Sequence, residues 1–91
     1  MKRSTEVSIP EIEEIAAVAC AVENMYLSLS VNGIGGYWTT GGITYEDGAN
    51  EFFGLGKEDK LLGFFYLGYI ETPSVAARRE PIANKTVWVS E

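Results

Sequence analysis

The residues best suited to do chemistry lie in one glycine-rich stretch. Residues 33 to 42 contain five glycines around Trp38, Thr39 and Thr40. Glycine lets the backbone adopt positive φ or approach another group with no Cβ in the way. A single turn needs fewer than five glycines. Such a stretch can present backbone amides and small hydroxyl groups to a flat ligand. Taken alone, the pattern also fits a tight helix–strand connection that packs a tryptophan.

The sequence holds no recognisable set of side chains for acid–base, nucleophilic or metal chemistry. It has no histidine and one cysteine, Cys20, which we expect to be a small core residue because no imidazole exists to activate it. The carboxylates between residues 46 and 59 show no pairing pattern for proton transfer. Zinc and haem sites would also need ligands that are missing. We therefore predict no catalytic side chain and no metal site.

A long helix must precede the glycine-rich stretch and position it. Ser8 and Glu11 have the spacing of a capping box, and Pro10 suits a first helical turn. Apolar residues then recur at steps of three and four up to Leu29, and Asn32-Gly33 is a typical helix end. The pattern predicts a helix over residues 10 to 32. Its small residues between positions 16 and 21 indicate a helix that packs closely, as a core or dimer helix.

The remaining elements are shorter. We predict a strand over residues 34 to 40, a helix that starts near Thr44–Asp47 and ends at Phe53-Gly54, and a strand over 60 to 70 that is covered on both faces. Residues 82 to 89 have strand-forming side chains and would be an edge strand or an arm onto a partner. The sequence thus predicts an α+β fold with about three strands in a mixed sheet, frayed residues 1 to 8, and a C-terminal arm over 81 to 91.

Composition and charge exclude several classes of partner. The 91 residues carry a net charge of −6, which argues against nucleic acid and anionic membranes because both need a basic surface. Apolar runs are interrupted before the ~20 residues of a membrane span, and no apolar signal segment follows the first residues. With one cysteine and no disulfide framework, we expect a cytoplasmic protein of one domain.

The order of these motifs resembles the C-terminal half of the flavin-dependent nitroreductase family. The resemblance runs from residue 9 to residue 89 and covers about half of a typical family member. The upstream Arg-Arg-Ser motif that holds the flavin phosphate in the family is missing, and Lys2-Arg3-Ser4 echoes it only faintly. The motifs that carry the resemblance are Cys20–Leu27, Gly33–Gly42, Phe52–Leu55, Lys60–Tyr69 and Arg78–Ile82.

The resemblance implies a bound FMN and a reaction that passes electrons from NAD(P)H to a nitroaromatic or quinone-like acceptor. It implies a homodimer with flavin at the subunit interface. A second reading remains open, in which the chain is a truncated, non-catalytic dimerisation module or a fragment of a longer enzyme. By position, the residues expected against the flavin ring are Trp38, Thr39, Thr40, Gly41 and Gly42, and Arg79 is expected on the phosphate.

Overall fold

The structure is a computed structural model that describes residues 1 to 6 and 8 to 90. The predicted α+β fold, with a long helix followed by a short one, is confirmed. In chain order the elements are helix α1 (Glu11–Val31), strand β1 (Ile34–Thr39), a 3-10 turn (Gly42–Tyr45), helix α2 (Asp47–Phe52), strand β2 (Phe64–Tyr69) and a second 3-10 turn (Ile82–Asn84).

Helix α1 begins and ends close to the predicted residues, but its first backbone amides are not capped by the predicted side chain. The N-cap is Pro10, with no capping hydrogen bond from a side chain, so the predicted Ser8 capping box is wrong. At the other end, Gly33 takes φ +69° and its amide donates to the Ser30 carbonyl at 3.1 Å. Glycine fits this left-handed position without a Cβ clash, and the helix stops where the sequence predicts.

The two strands form one antiparallel pair, in which Trp38 lies opposite Phe65 and Thr39 opposite Phe64. The expectation of about three strands in a mixed sheet is therefore wrong in number and type. In the described part of the C-terminal arm, residues 82 to 89 contain a 3-10 turn and no strand. Strand-forming side chains are not sufficient here, because a strand also needs a neighbour to accept its hydrogen bonds.

Helix α1 packs across β1 and reaches the second strand. The rings of Tyr26 and Phe65 meet edge to face, with centroids 4.8 Å apart. A Cβ at Gly36 would lie 2.6 Å from the Phe65 ring and 3.1 Å from the Leu29 side chain, so only glycine allows this approach. Cys20 lies off the packed face and is exposed, so the prediction that it is a core residue is wrong.

Much of the apolar surface stays uncovered in the single chain. Among the described residues only Ala49 and Thr44 are buried, and the part of β2 from Tyr66 to Tyr69 is exposed rather than covered on both faces. The Cα radius of gyration is 17.4 Å, whereas a compact domain of this length would have about 12 Å. By length and composition α1 could also cross a bilayer, a property that it shares with core helices.

The first residues pair with the loop before β2. The Met1 amino group donates to the Lys60 carbonyl at 2.7 Å, and the Lys60 amide donates back to the Met1 carbonyl at 3.0 Å. The Arg3 amide donates to Asp59 Oδ1 at 2.8 Å. These contacts join chain segments nearly sixty positions apart, which local sequence patterns do not reveal. The fraying expected of residues 1 to 8 stays a prediction.

The Arg3 side chain joins this segment to the start of α1. Its Nη1 lies 3.0 Å from Glu11 Oε2, its Nε contacts Glu14 Oε2, and its Nη2 donates to the Ile9 carbonyl at 3.1 Å. The Arg3 side chain is 23% exposed and that of Glu14 is 12% exposed. Partial burial makes these charge-assisted bonds stronger than surface ion pairs.

Replacing Arg3 by methionine should therefore lower the free energy of unfolding by about 1 to 3 kcal/mol, because two carboxylates lose their partner while the aliphatic stem remains. Urea unfolding followed by circular dichroism measures the change. Lys2→Met is the matched control, since Lys2 forms no ion pair among the described residues. Equal stability of the two variants would show that the Arg3 contacts contribute nothing.

Candidate functional site

Trp38, near the end of β1, is fixed by two hydrogen bonds. Its amide donates to the Tyr26 hydroxyl at 2.6 Å, and its indole Nε1 donates to the Leu62 carbonyl at 3.2 Å. Gly63 has φ +136°, and a Cβ there would lie 2.4 Å from the Thr39 carbonyl oxygen and 2.5 Å from Trp38 Nε1. The site therefore needs glycine at position 63 both for its backbone angle and for the space.

The loop after Trp38 turns sharply, and two hydrogen bonds between Gly41 and Thr44 hold the turn. Gly41 and Gly42 take φ values of +97° and +51°. The Gly41 amide donates to Thr44 Oγ1 at 2.9 Å, and the Thr44 hydroxyl donates to the Gly41 carbonyl at the same distance. Within the described residues, the amides of Thr40 and Gly42 donate no hydrogen bond. The loop thus holds two backbone donors available to a ligand.

An open groove of about 960 Å³ lies beside this loop. Trp38 and Thr40 line it, whereas Thr39, Gly41 and Gly42 do not. One wall comes from the first 3-10 turn and α2, and the other comes from the loop between α2 and β2. The lining residues are Ile15, Trp38, Thr40, Thr44, Tyr45, Glu46, Asp47, Asn50, Glu51, Leu55, Gly56, Lys57, Asp59, Lys60, Leu61 and Leu62.

The groove carries more negative than positive charge. Glu46, Asp47 and Glu51 on the helix side form no ion pair among the described residues, and Lys60 on the other side lies 3.5 Å from Glu11. No group of three or more metal-binding side chains occurs within residues 1 to 6 and 8 to 90. An acidic groove with a tryptophan at its edge favours a neutral flat ligand over the binding of a phosphate.

Asp59, at the wall of the groove, is held in its charged form by two backbone amides. Hydrogen bonds from the Arg3 amide and then the Gly56 amide hold the pKa of its carboxyl below the usual value of 3.8, since both favour the charged form. The two amides donate to Oδ1 and Oδ2, each at 2.8 Å. Asn50 in turn donates to the Asp59 carbonyl at 3.1 Å. Asp59 thus ties the N-terminal segment to the groove wall.

Arg79 lies outside this groove. It lines a separate cavity of about 680 Å³ with Arg78, Glu80, Ile82 and Lys85. Lys85 Nζ is paired with Glu80 at 2.8 Å, and neither arginine is paired among the described residues. The structure therefore brings Trp38 and Thr40 together in one groove but does not bring Arg79 to it.

The residues Lys2-Arg3-Ser4, which faintly resemble a phosphate-binding motif, have a different role in the structure. The guanidinium of Arg3 contacts Glu11, Glu14 and the Ile9 carbonyl, so its donors already have internal partners. Lys2-Arg3-Ser4 is thus an anchor of the N-terminal segment rather than a substitute for the family's Arg-Arg-Ser motif. The Ser4 amide also donates to Glu14 Oε1, at 2.7 Å.

Two residues that hold the loop in place, Tyr26 and Gly63, were not predicted from the sequence. Tyr26 fell within the helical apolar pattern, and nothing in that pattern marks a hydroxyl that reaches a strand. Gly63 followed two leucines in an apolar run, where a glycine can be read as a simple gap. An isolated glycine in a strand pattern is itself a signal of close backbone approach, and it would have indicated this one.

Similarity to known proteins identifies the family of this chain. Residues 3–69 match the family model described as the nitroreductase family. YdjA of Escherichia coli K12, provisionally named an NAD(P)H nitroreductase, is 36% identical over 69 residues, which are 76% of this chain and 36% of YdjA. YfhC of Bacillus subtilis, named in the same way, is 26% identical over 73 residues, 80% of this chain and 38% of YfhC. This chain belongs to the nitroreductase family.

A solved structure shows the same fold. A nitroreductase-like family protein from Bacillus cereus superposes with a TM-score of 0.79 at 26% identity, over 92% of this chain and 45% of that one. The chain therefore spans less than half of the length of these relatives. The family match ends at Tyr69, so the segment with Arg79 lies beyond it.

Asp59 should make stability depend on pH in the acid range. Its folded-state pKa is depressed, so its contribution is fully present above the unfolded value and is lost as the pH falls through the lower, folded value. Urea unfolding between pH 7 and pH 2.5 should show a loss below about pH 4 that is smaller in Asp59→Asn. Glu58→Gln, at an exposed neighbour, should keep the wild-type profile; an unchanged profile in Asp59→Asn would contradict the assignment.

Proposed function

We propose that this chain acts as part of an FMN-dependent oxidoreductase of the nitroreductase type, which takes electrons from NAD(P)H and passes them to a nitroaromatic or quinone-like acceptor. The observation that carries the proposal is the Trp38–Gly42 loop, with two available amide donors, in a chain that belongs to this family. The names of YdjA and YfhC, both of which mention NAD(P)H and nitroreductase, support the choice of electron donor and reaction.

The residues on the ring side fit such a cofactor. Thr40 and Gly42 offer backbone N–H groups, and Trp38 provides a flat apolar edge to the groove. The Trp38 and Gly41 amides serve other partners, so their contribution is to hold the loop in shape. Thr39, in β1, supports Thr40 through its pairing with Phe64.

The phosphate side fits less well in the single chain. Arg79 remains the proposed phosphate ligand, but it lies in a different cavity from Trp38 and Thr40. A second subunit would resolve this separation if each site drew its ring contacts and its phosphate contact from different chains. The exposed side chains of β2 and α1 favour such a homodimer, since they leave apolar area for a partner to cover.

The residues present indicate which steps the cofactor would perform and which the chain would perform. FMN, when bound, would accept a hydride and release electrons to the acceptor. The chain would bind and orient it, and the Thr40 and Gly42 amides would stabilise negative charge on the reduced ring without having to reorient. No acid–base side chain is needed for this role, in keeping with a family whose cofactor supplies the chemistry. We place the reaction in the cytoplasm.

A non-catalytic dimerisation module is the second candidate. It is favoured by the exposed sheet residues, which leave apolar area for a second copy to cover. It would bury the same apolar faces and would have no use for open amides at Thr40 and Gly42. Flavin binding therefore separates the two candidates.

The direct test is to mix the purified chain with FMN, remove unbound cofactor by desalting, and record the visible spectrum together with the mass by light scattering. The proposal predicts a retained flavin band on a dimer and bleaching of that band by NADH or NADPH without oxygen. A colourless dimer would favour the dimerisation module, and a colourless monomer would support neither candidate.

Arg79→Ala should weaken FMN binding by about 1.5 to 3 kcal/mol, because a charge-assisted contact to the phosphate is lost. Fluorescence titration with FMN gives the dissociation constant, and titration with riboflavin, which lacks the phosphate, should be unaffected. Arg78→Ala is the matched control with the same loss of charge. Unchanged FMN affinity in Arg79→Ala would remove Arg79 from the site.

Thr40→Val tests the ring side without removing a charge. The substitution replaces the hydroxyl by a methyl group next to an available amide, so the absorption maximum or the reduction potential of bound flavin should shift. Thr72→Val, at an exposed position outside the groove, serves as the control. An identical flavin spectrum and potential in Thr40→Val would mean that this side chain does not face the ring.

A further inference from the structure

The hydrogen bond between Tyr26 and Trp38 joins two elements that otherwise meet through apolar contacts. Tyr26 belongs to α1, and its hydroxyl oxygen accepts the Trp38 amide at 2.6 Å. No other residue of α1 donates to or accepts from β1 through a side chain among the described hydrogen bonds. The helix therefore fixes the strand at one point, close to its C-terminal end.

Strand geometry relates that point to the available amide of Thr40, the residue that follows β1. In an antiparallel pair, successive amides of a strand point alternately toward and away from the neighbouring strand. The Trp38 amide donates to Tyr26 instead of to β2, so it points away from β2. By the same alternation, the Thr40 amide is expected to point away from β2 as well. If this alternation continues one residue past the end of β1, the Thr40 amide is expected at the edge of β1 where the Tyr26 hydroxyl accepts from Trp38.

The Tyr26 ring is itself held in place. It contacts Phe65 edge to face at 4.8 Å, with an angle of 70° between the ring planes. Phe65 lies opposite Trp38 in the sheet. Helix α1 and both strands therefore converge on the residue that leads into the glycine loop. A shift of the Tyr26 hydroxyl would move the end of β1 and the loop with it.

We propose that Tyr26 is a positioning residue, whose hydroxyl sets the direction of the Thr40 and Gly42 amides at the ring side of the flavin site. This inference rests on the proposed function for its ligand, but the positioning itself concerns the free protein. Tyr26 touches neither of the two amides. It acts through Trp38, whose amide it accepts and whose indole is held independently by Leu62.

The test compares Tyr26→Phe with Tyr37→Phe, which removes a hydroxyl from the exposed neighbour of Trp38 on the same strand. In ¹H–¹⁵N correlation spectra of the free protein, Tyr26→Phe should shift the amide signals of Trp38, Thr40 and Gly42 and speed hydrogen exchange at Trp38. Tyr37→Phe should leave Thr40 and Gly42 in place. With FMN, the Tyr26→Phe variant should bind about two- to tenfold more weakly, the effect of one hydrogen bond, and alter the flavin absorption maximum.

Each outcome decides a separate point. Shifts confined to Tyr26 and Trp38, with Thr40 and Gly42 unmoved, would overturn the positioning role whether or not FMN binds. A lower unfolding midpoint with unchanged FMN affinity and spectrum would also overturn it, since Tyr26 would then be merely structural. If the wild-type chain binds no FMN, the proposed function fails, and movement of the two amides in the free variant would still support the positioning of the loop by Tyr26.

Discussion

The close approach of three backbone segments around Trp38 is the constraint on which the rest of the structure depends. Helix α1 reaches the strand through the Tyr26 hydroxyl, and the segment before β2 reaches the indole through the Leu62 carbonyl. Glycine is needed at two positions for these contacts. A Cβ at Gly36 would clash with the Phe65 and Leu29 side chains, and a Cβ at Gly63 would clash with the Thr39 carbonyl and the Trp38 indole. The loop from Thr40 to Gly42 follows directly from this fixed point, so its starting position is set by packing that lies outside it, while the Gly41–Thr44 hydrogen bonds close the turn itself.

The sequence was most informative where local chemistry decides the structure. The end of α1 at Asn32-Gly33 and the end of α2 near Phe53-Gly54 were predictable, because a left-handed glycine after a helix has a known role. The interactions at the first turn of α1 were not, since Arg3 contacts its carboxylates from outside the helix in place of the predicted Ser8 capping box. Residues 82 to 89, predicted as an edge strand or an arm onto a partner, form no strand within the described residues for a related reason. Pairing is a property of two segments, and residue patterns describe only one.

The same reasoning explains which parts of the site were predictable. The loop at Trp38–Gly42 stands out by composition, and the structure places Trp38 and Thr40 on one groove. The pairing of the N-terminal segment with Asp59 and Lys60 joins residues far apart in sequence and left no local trace. Arg79 was assigned by resemblance alone, and it lines a cavity separate from the groove. The chain covers less than half of the length of its relatives and leaves apolar faces exposed, and local sequence patterns do not reveal what covers those faces.

The central claim is that the Trp38–Gly42 loop is the ring side of a flavin site. The most direct measurement is a titration of the ¹⁵N-labelled chain with FMN, followed by the amide signals of the whole chain. The account predicts saturable shifts that are largest at Thr40 and Gly42, extend to the indole of Trp38, and appear equally with riboflavin. Shifts confined to the cavity around Arg78 and Lys85, or no saturable shift at Thr40 and Gly42, would contradict it.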